Sequence, residues 1–190
     1  MEILLDLDIC KNLPCDETFE ISEYDNEQIS KRVDFDNIHT TNFVNIGPGA
    51  DLLVLLLIVN IGLEVLKLGT EINDGIDGWI GIGKKLKKLF KWNKIVSIDK
   101  EGATAMAIEL IAQKEEIIKL EKIQESTINL VDVSGMTTIN SELNKRPHNY
   151  YIQTYRINDL DIYVIGITST GEAKIVKHFG FNPYGISDID

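Results

Sequence analysis

Cysteine is nearly missing from this chain of 190 residues. Cys10 and Cys15 are the whole complement, too few for a disulfide framework and without the further ligands that a zinc site requires. Both are expected to stay reduced. Histidine is almost as sparse: His39, His148 and His178 are scattered, and none stands at a ligand spacing with another His, Cys or carboxylate. No nucleophile or orienting partner accompanies any of them, so no His-assisted catalysis is expected. The turns at Ser134-Gly135 and Ser169-Thr170-Gly171 lack the Gly-x-Ser-x-Gly elbow that aims a hydroxyl at a substrate. The start of the chain, MEILLDLDICKNLP, has no positively charged region before an apolar one, so it does not read as a secretory signal. Internal repeats and low-complexity tracts are absent as well. The expectation is a cytoplasmic protein, with membrane attachment as the variant, that is not an enzyme and holds no cofactor and no metal.

Positive charge is scarce too. Nineteen Lys and Arg face thirty Asp and Glu, for a net charge of −11 and a pI near 4.7, which argues against nucleic acid as a partner because phosphate neutralisation needs a positive surface. The imbalance is uneven along the chain. Residues 1–48 carry 11 acids and 3 bases (−8), residues 49–94 carry 5 and 7 (+2), and residues 95–190 carry 14 and 9 (−5). At 44% hydrophobic and 26% charged the composition is that of a folded protein. An acidic first third is suited to dock against a basic element, in the same molecule or on a partner.

What the chain does have is one long apolar stretch, ADLLVLLLIVNIGLEVLKL, over 50–68. Asn60, Glu64, Lys67, Glu71 and Asp74 follow at steps of four, three, four and three, one stripe of an α-helix. A single helix crossing lipid needs roughly 20 apolar residues with few charges; the uninterrupted run from Leu52 to Val59 is much shorter. The pattern predicts a long apolar helix buried on most sides in a soluble core, with a transmembrane span as the rival. Next comes KKLKKLFKWNK over 84–94; from residue 79 on, Trp79, Ile82, Leu86, Leu89 and Phe90 gather on one side of a helix and Lys84, Lys87, Lys88, Lys91 and Lys94 on the other. Such a basic amphipathic helix suits a lipid interface or a partner surface, and equally a solvated face over a core. Trp79, Lys84, Lys87, Lys88, Phe90, Lys91 and Trp92 are therefore the candidate membrane or partner contacts, an anionic bilayer being the membrane that would attract them.

Within this region Gly78 to Lys84 satisfies the Gly-x-x-x-x-Gly-Lys spacing of a phosphate-binding loop, yet Lys85 stands where a magnesium-holding Ser or Thr is needed. The polar stretch from Thr70 to Asp77 also does not read as the buried strand that should precede such a loop. Nucleotide binding is not expected. The glycines at 75, 78, 81 and 83 each cost about 1 kcal/mol in a helix interior, which predicts a break or hinge there.

Elsewhere, Ile3 to Ile9, Thr18 to Ser22 and Arg32 to Ile38 are candidate short strands. Lys94 to Ile98 reads as a strand, Ala103 to Lys114 as a helix, and Ile117 to Leu130 as extended. Tyr150 to Ile157, Asp161 to Thr168 and Glu172 to Phe179 alternate as strands separated by Asn158-Asp159 and Ser169-Thr170-Gly171, which predicts a three-stranded antiparallel meander. The fold class is α+β: an antiparallel C-terminal meander with packed helices, preceded by the apolar helix and the basic amphipathic helix. Three segments follow, an acidic one with short strands over 1–48, a helical one over 49–94 and an α+β domain over 95–190, with a boundary near residue 94 whose two sides have room to share one core.

Arg146, His148, Tyr150 and Tyr151 bring a guanidinium, an imidazole and two phenols to the mouth of the meander. Tyr and Arg are enriched in interface hot spots, so these four form the candidate interface, with one of the two tyrosines facing the core. The gross profile, acidic and motif-poor, is similar to that of small bacterial immunity or conflict-system accessory proteins. That similarity of type implies a non-catalytic module that binds another protein; the alternative is a membrane-inserted or membrane-associated regulatory component that uses the helical region of 50–94.

Overall fold

A computed structural model describes residues 1–6, 27, 29–31, 33–35, 38–45, 53–59, 66, 68–69, 71–72, 75–92, 95–130 and 148–180. The fold is α+β, built on two antiparallel sheets. The smaller has the order β2-β3-β1-β5, from β1 (Glu2–Asp6), β2 (Ile38–Asn45), β3 (Leu53–Val59) and β5 (Ile95–Ile98). The larger runs β4-β6-β7-β8-β9, from β4 (Glu71–Ile72), β6 (Leu120–Asn129), β7 (Asn149–Ile157), β8 (Asp161–Thr168) and β9 (Ala173–Phe179).

The long apolar helix is corrected by this topology. Leu53–Val59 is an inner strand, with Leu55 opposite Leu5 of β1 on one side and Phe43 of β2 on the other. An apolar run of seven or eight residues has no period that separates strand from buried helix, and β3 takes its hydrogen bonds from β1 and β2. The supposed polar stripe dissolves with it, because Gly69 lies in a turn and Glu71 in β4. The expected strand from Arg32 to Ile38 is corrected as well. Lys31 and Val33 are helical, and β2 starts only at Ile38. Thr18 to Ser22, both cysteines and Ser134-Gly135 lie outside the described residues.

Helix α1 (Ile76–Lys91) runs without a break through Gly78, Gly81 and Gly83, contrary to the expected hinge. Gly75 precedes it with φ +85°, a left-handed conformation that glycine adopts without strain. The cost of the internal glycines is offset by burial of Ile76, Trp79, Leu86 and Leu89. At Gly83 the lack of a side chain has a purpose: a β-carbon there would collide with the Ala105 carbonyl and the Glu109 β-carbon, so glycine lets α1 approach the next helix closely.

That next helix, α2 (Lys100–Ala112), is the centre of the molecule. Asp99 caps it by accepting from the Gly102 N–H at 2.8 Å, and also accepts from the Glu2 N–H at 2.7 Å. Every residue from Gly102 to Glu109, and Ile111, is buried. Apart from Lys100, Glu101 and Glu109 its sequence, KEGATAMAIELIA, is apolar or small, the composition of a helix enclosed on most sides. It packs against α1, against β1 and β5 of the smaller sheet and against β7, β8 and β9 of the larger one. The sheets are joined directly where Ile98 N–H donates to the Ser169 carbonyl at 2.9 Å and the Tyr151 hydroxyl donates to the Ile98 carbonyl at 3.0 Å. One core therefore reaches from Ile3 to Ile167, and the three sequence segments meet in one sheet.

Candidate functional site

The apolar side of α1 is turned into the core. Trp79 is only 2% exposed, and Leu86 and Leu89 are buried beside it, so Trp79 is corrected from a contact residue to a core residue. Phe90 is half-buried with its ring against Gly171. Lys87 is drawn inward and pairs with the buried carboxylate of Glu109, which also accepts from Gln113 Nε2 at 2.6 Å. Lys85 donates to the Asp34 carbonyl at 2.5 Å. Lys84, Lys88, Lys91 and Trp92 remain on the surface, with the Lys88 ammonium 4.8 Å from the Trp92 ring centroid. No helix among the described residues is long and apolar enough to cross a membrane.

The meander supplies a different surface. Tyr150 and Tyr151 point to opposite faces, as period two demands. Tyr151 is buried, and burial pushes its phenol above the ordinary range. His148 lies just before β7, where its N–H donates to Ser169 Oγ at 3.0 Å; Arg146 lies outside the described residues. Of the three candidate interface residues that are described, Tyr150 is the one placed on the outer face of the sheet, opposite Thr168 and over Gly166.

That outer face is unusual. The inner face of the larger sheet carries Tyr151, Gln153, Tyr155, Ile157, Tyr163, Ile165 and Ile167, all buried. Antiparallel sheets with one covered face ordinarily set polar residues on the other. Here the outer positions of β7 and β8 are Tyr150, Ile152 and Thr154, then Ile162, Val164 and Gly166, in register with one another. Phe179 stands opposite Ile162 and Lys177 opposite Val164; Val176 reaches toward Gly166, and Ile128 lies opposite Tyr150. Phe179, Val176 and Ile128 are each about half exposed, at 52%, 55% and 45%. Helices α1 and α2 lie on the inner side, where Thr104 of α2 meets Lys122 and Gln153. Lys174 and Lys177 run along the edge strand, and Lys177 sits 5.6 Å over the Phe179 ring.

Sequence reasoning named Tyr150 but missed the rest of this surface. Its signal was present in the apolar residues at both parities of β8, which leave neither face of that strand polar. On the inner side, near the sheet end, His178 stacks on Tyr163 with ring centroids 4.2 Å apart and approaches Asp161 Oδ1 at 3.1 Å. Among the described residues no group of three or more His, Cys, Asp or Glu is placed to hold a metal ion. No protein-family model matches the chain, and neither curated proteins nor solved structures include a match to it.

Proposed function

We propose that this chain is a non-catalytic protein-interaction module, of the small acidic bacterial immunity or conflict-system accessory type, and that the outer face of the five-stranded sheet receives its partner. The observation that carries this reading is the apolar band of Tyr150, Ile152, Ile162, Val164, Val176 and Phe179 on a face that carries neither α1 nor α2. A contiguous exposed apolar patch on a soluble domain marks an interaction site more often than chance. The occupant that fits is a folded protein with an apolar patch bordered by carboxylates, which Lys174 and Lys177 would meet at the rim.

Affinity capture from native cells, with the membrane fraction retained, tests this. The partner held by the wild type should be lost from Val164→Glu and Ile152→Glu, and kept by Lys84→Glu/Lys88→Glu. Retention by the sheet variants would refute the assignment. A dimer that Val164→Glu dissociates would make the occupant a second copy of this chain.

The alternative, a membrane-associated regulatory component, rests on Lys84, Lys88, Lys91 and Trp92 at the surface of α1. With the apolar side of α1 in the core, Trp92 is the one apolar member of that set, and the attachment would be mainly electrostatic.

A further inference from the structure

On the inner side, away from the sheet face just described, a cleft of about 420 Å³ opens between the start of α2 and β6. Leu66, Leu68 and Trp79 form its apolar wall; Lys100, Glu101, Thr104, Lys122 and Glu125 supply the polar one. Lys122 is the unusual member, because its side chain is only 4% exposed, and lysine is almost never buried to that degree without a reason. Its ammonium donates to Thr104 Oγ1 at 3.1 Å and to Glu125 Oε1 at 2.5 Å. Gln153 Nε2 donates to the same two oxygens at 3.0 and 2.9 Å, and its own Oε1 accepts from the Tyr155 hydroxyl at 2.7 Å.

The backbone is arranged for this meeting. Lys122 and Glu125 are three residues apart, and in a regular strand they would face opposite sides. A bulge between Lys122 and Gln124 shifts the register, so that Lys122 lies opposite Tyr155 and Glu125 opposite Gln153, both on the inner face. Bulges of this kind re-aim side chains beside functional sites. Lys100, whose ammonium makes no ion pair among the described residues, sits at the same cleft.

We propose that Lys122 is an imine-forming amine, and that the cleft takes a small oxo acid whose carbonyl carbon meets Lys122 and whose carboxylate meets Lys100. The chemistry is that of a desolvated lysine beside a second cation, the arrangement that activates an amine as a nucleophile. Burial pushes the Lys122 ammonium below the ordinary lysine range against the opposing pull of Glu125, and Lys100 adds to the lowering. Glu125 takes a proton from the ammonium, and the freed electron pair forms the C–N bond to the carbonyl carbon. A second proton passes from nitrogen to the carbonyl oxygen to give the carbinolamine. Glu125 then returns its proton to that hydroxyl, the C–O bond breaks, and water leaves. The product is a protonated imine on Lys122, with the overall charge unchanged. Thr104 and Gln153 hold Lys122 and Glu125 together through these transfers.

Reductive trapping reads the step directly. The full-length protein is incubated with glyoxylate and cyanoborohydride near pH 7, and peptide mapping by mass spectrometry locates the carboxymethyl group that remains. Lys122 should be labelled at least about tenfold faster than exposed lysines such as Lys114, since each tenfold gain in free amine gives a tenfold gain in rate. Lys122→Met should lose that label; if this variant fails to fold, the surface change Lys100→Ala serves, and it should slow labelling of Lys122 several-fold without slowing Lys114. Labelling of Lys122 no faster than Lys114, or a Lys122 rate unchanged by Lys100→Ala, would overturn the proposal. Neither result bears on the sheet face, whose variants lie elsewhere.

Discussion

Gly83 of α1 and Glu109 of α2 touch backbone to side chain: a β-carbon at 83 would fall onto the Glu109 β-carbon and the Ala105 carbonyl. Two positions earlier, a β-carbon at Gly81 would meet nothing within 4 Å. The same substitution should therefore have opposite signs. Gly81→Ala is expected to stabilise by about 0.5–1 kcal/mol through helix propensity, and Gly83→Ala to destabilise by about 1–3 kcal/mol through overpacking. Urea unfolding of both variants measures the pair, and a stabilising Gly83→Ala would show that the helices are further apart.

Lys87 approaches the same Glu109 from the other side. Because Glu109 is buried and shares its carboxylate between Lys87 and Gln113, Lys87→Met should leave a charge without its counter-ion and cost about 1–3 kcal/mol. Lys84→Met, one turn away on the solvent side, should change stability by under about 0.5 kcal/mol. Equal losses from the two would place Lys87 on the surface.

The two faces of β8 should separate in the same way. Ile165 is fully buried against the core and Val164 faces outward. Ile165→Ala is expected to cost about 2–5 kcal/mol. Val164→Ala should cost less than about 1.5 kcal/mol, although Val164→Glu is the variant expected to abolish partner capture. Thermal melts distinguish them, and an unchanged melting temperature for Ile165→Ala would refute the inward register.

Alkaline pH should weaken the fold through Tyr163. Burial, and then the Glu115 carboxylate, push its phenol up to about 12, whereas in the unfolded chain a tyrosine ionises near ~10. The native state thus holds a proton that the unfolded state releases. Stability from this group is complete below the unfolded value and is lost as pH rises through the interval up to about 12. Tyr163→Phe should flatten the decline over that interval, seen in unfolding midpoints against pH. A wild-type curve no steeper than the variant's would show Tyr163 to be solvated.

Vesicle cosedimentation separates the two functional readings at α1. With Trp79, Leu86 and Leu89 in the core, Lys84, Lys88, Lys91 and Trp92 are left at the surface among the described residues of this segment, each lysine contributing roughly 1 kcal/mol near an anionic surface. The expected result is no binding to neutral vesicles and weak binding to anionic ones at low salt, released as salt shortens the screening length. Binding that persists at high salt would mean that apolar residues insert, and would favour the membrane reading.

Residues 149–179 were open to sequence reasoning because alternation and turn chemistry agree there. Asn158 and Asp159 take positive φ, at 51° and 64°, a conformation Asn and Asp tolerate better than most residues, and the strands on either side bury alternate residues. The sequence by itself likewise showed a helix, expected over 103–114 and found at Lys100–Ala112, and the amphipathic character of the segment from Trp79 onward, which lies in α1. Only the tertiary structure decided that Leu53–Val59 is a strand, because its hydrogen bonds belong to β1 and β2. It also decided which side of α1 meets solvent, what Gly83 is for, and that Lys122 and Glu125 share a face. Each depends on a neighbour far away in the chain: a register shift is set by the partner strand, and a glycine's role by the helix it touches, so no local pattern records either.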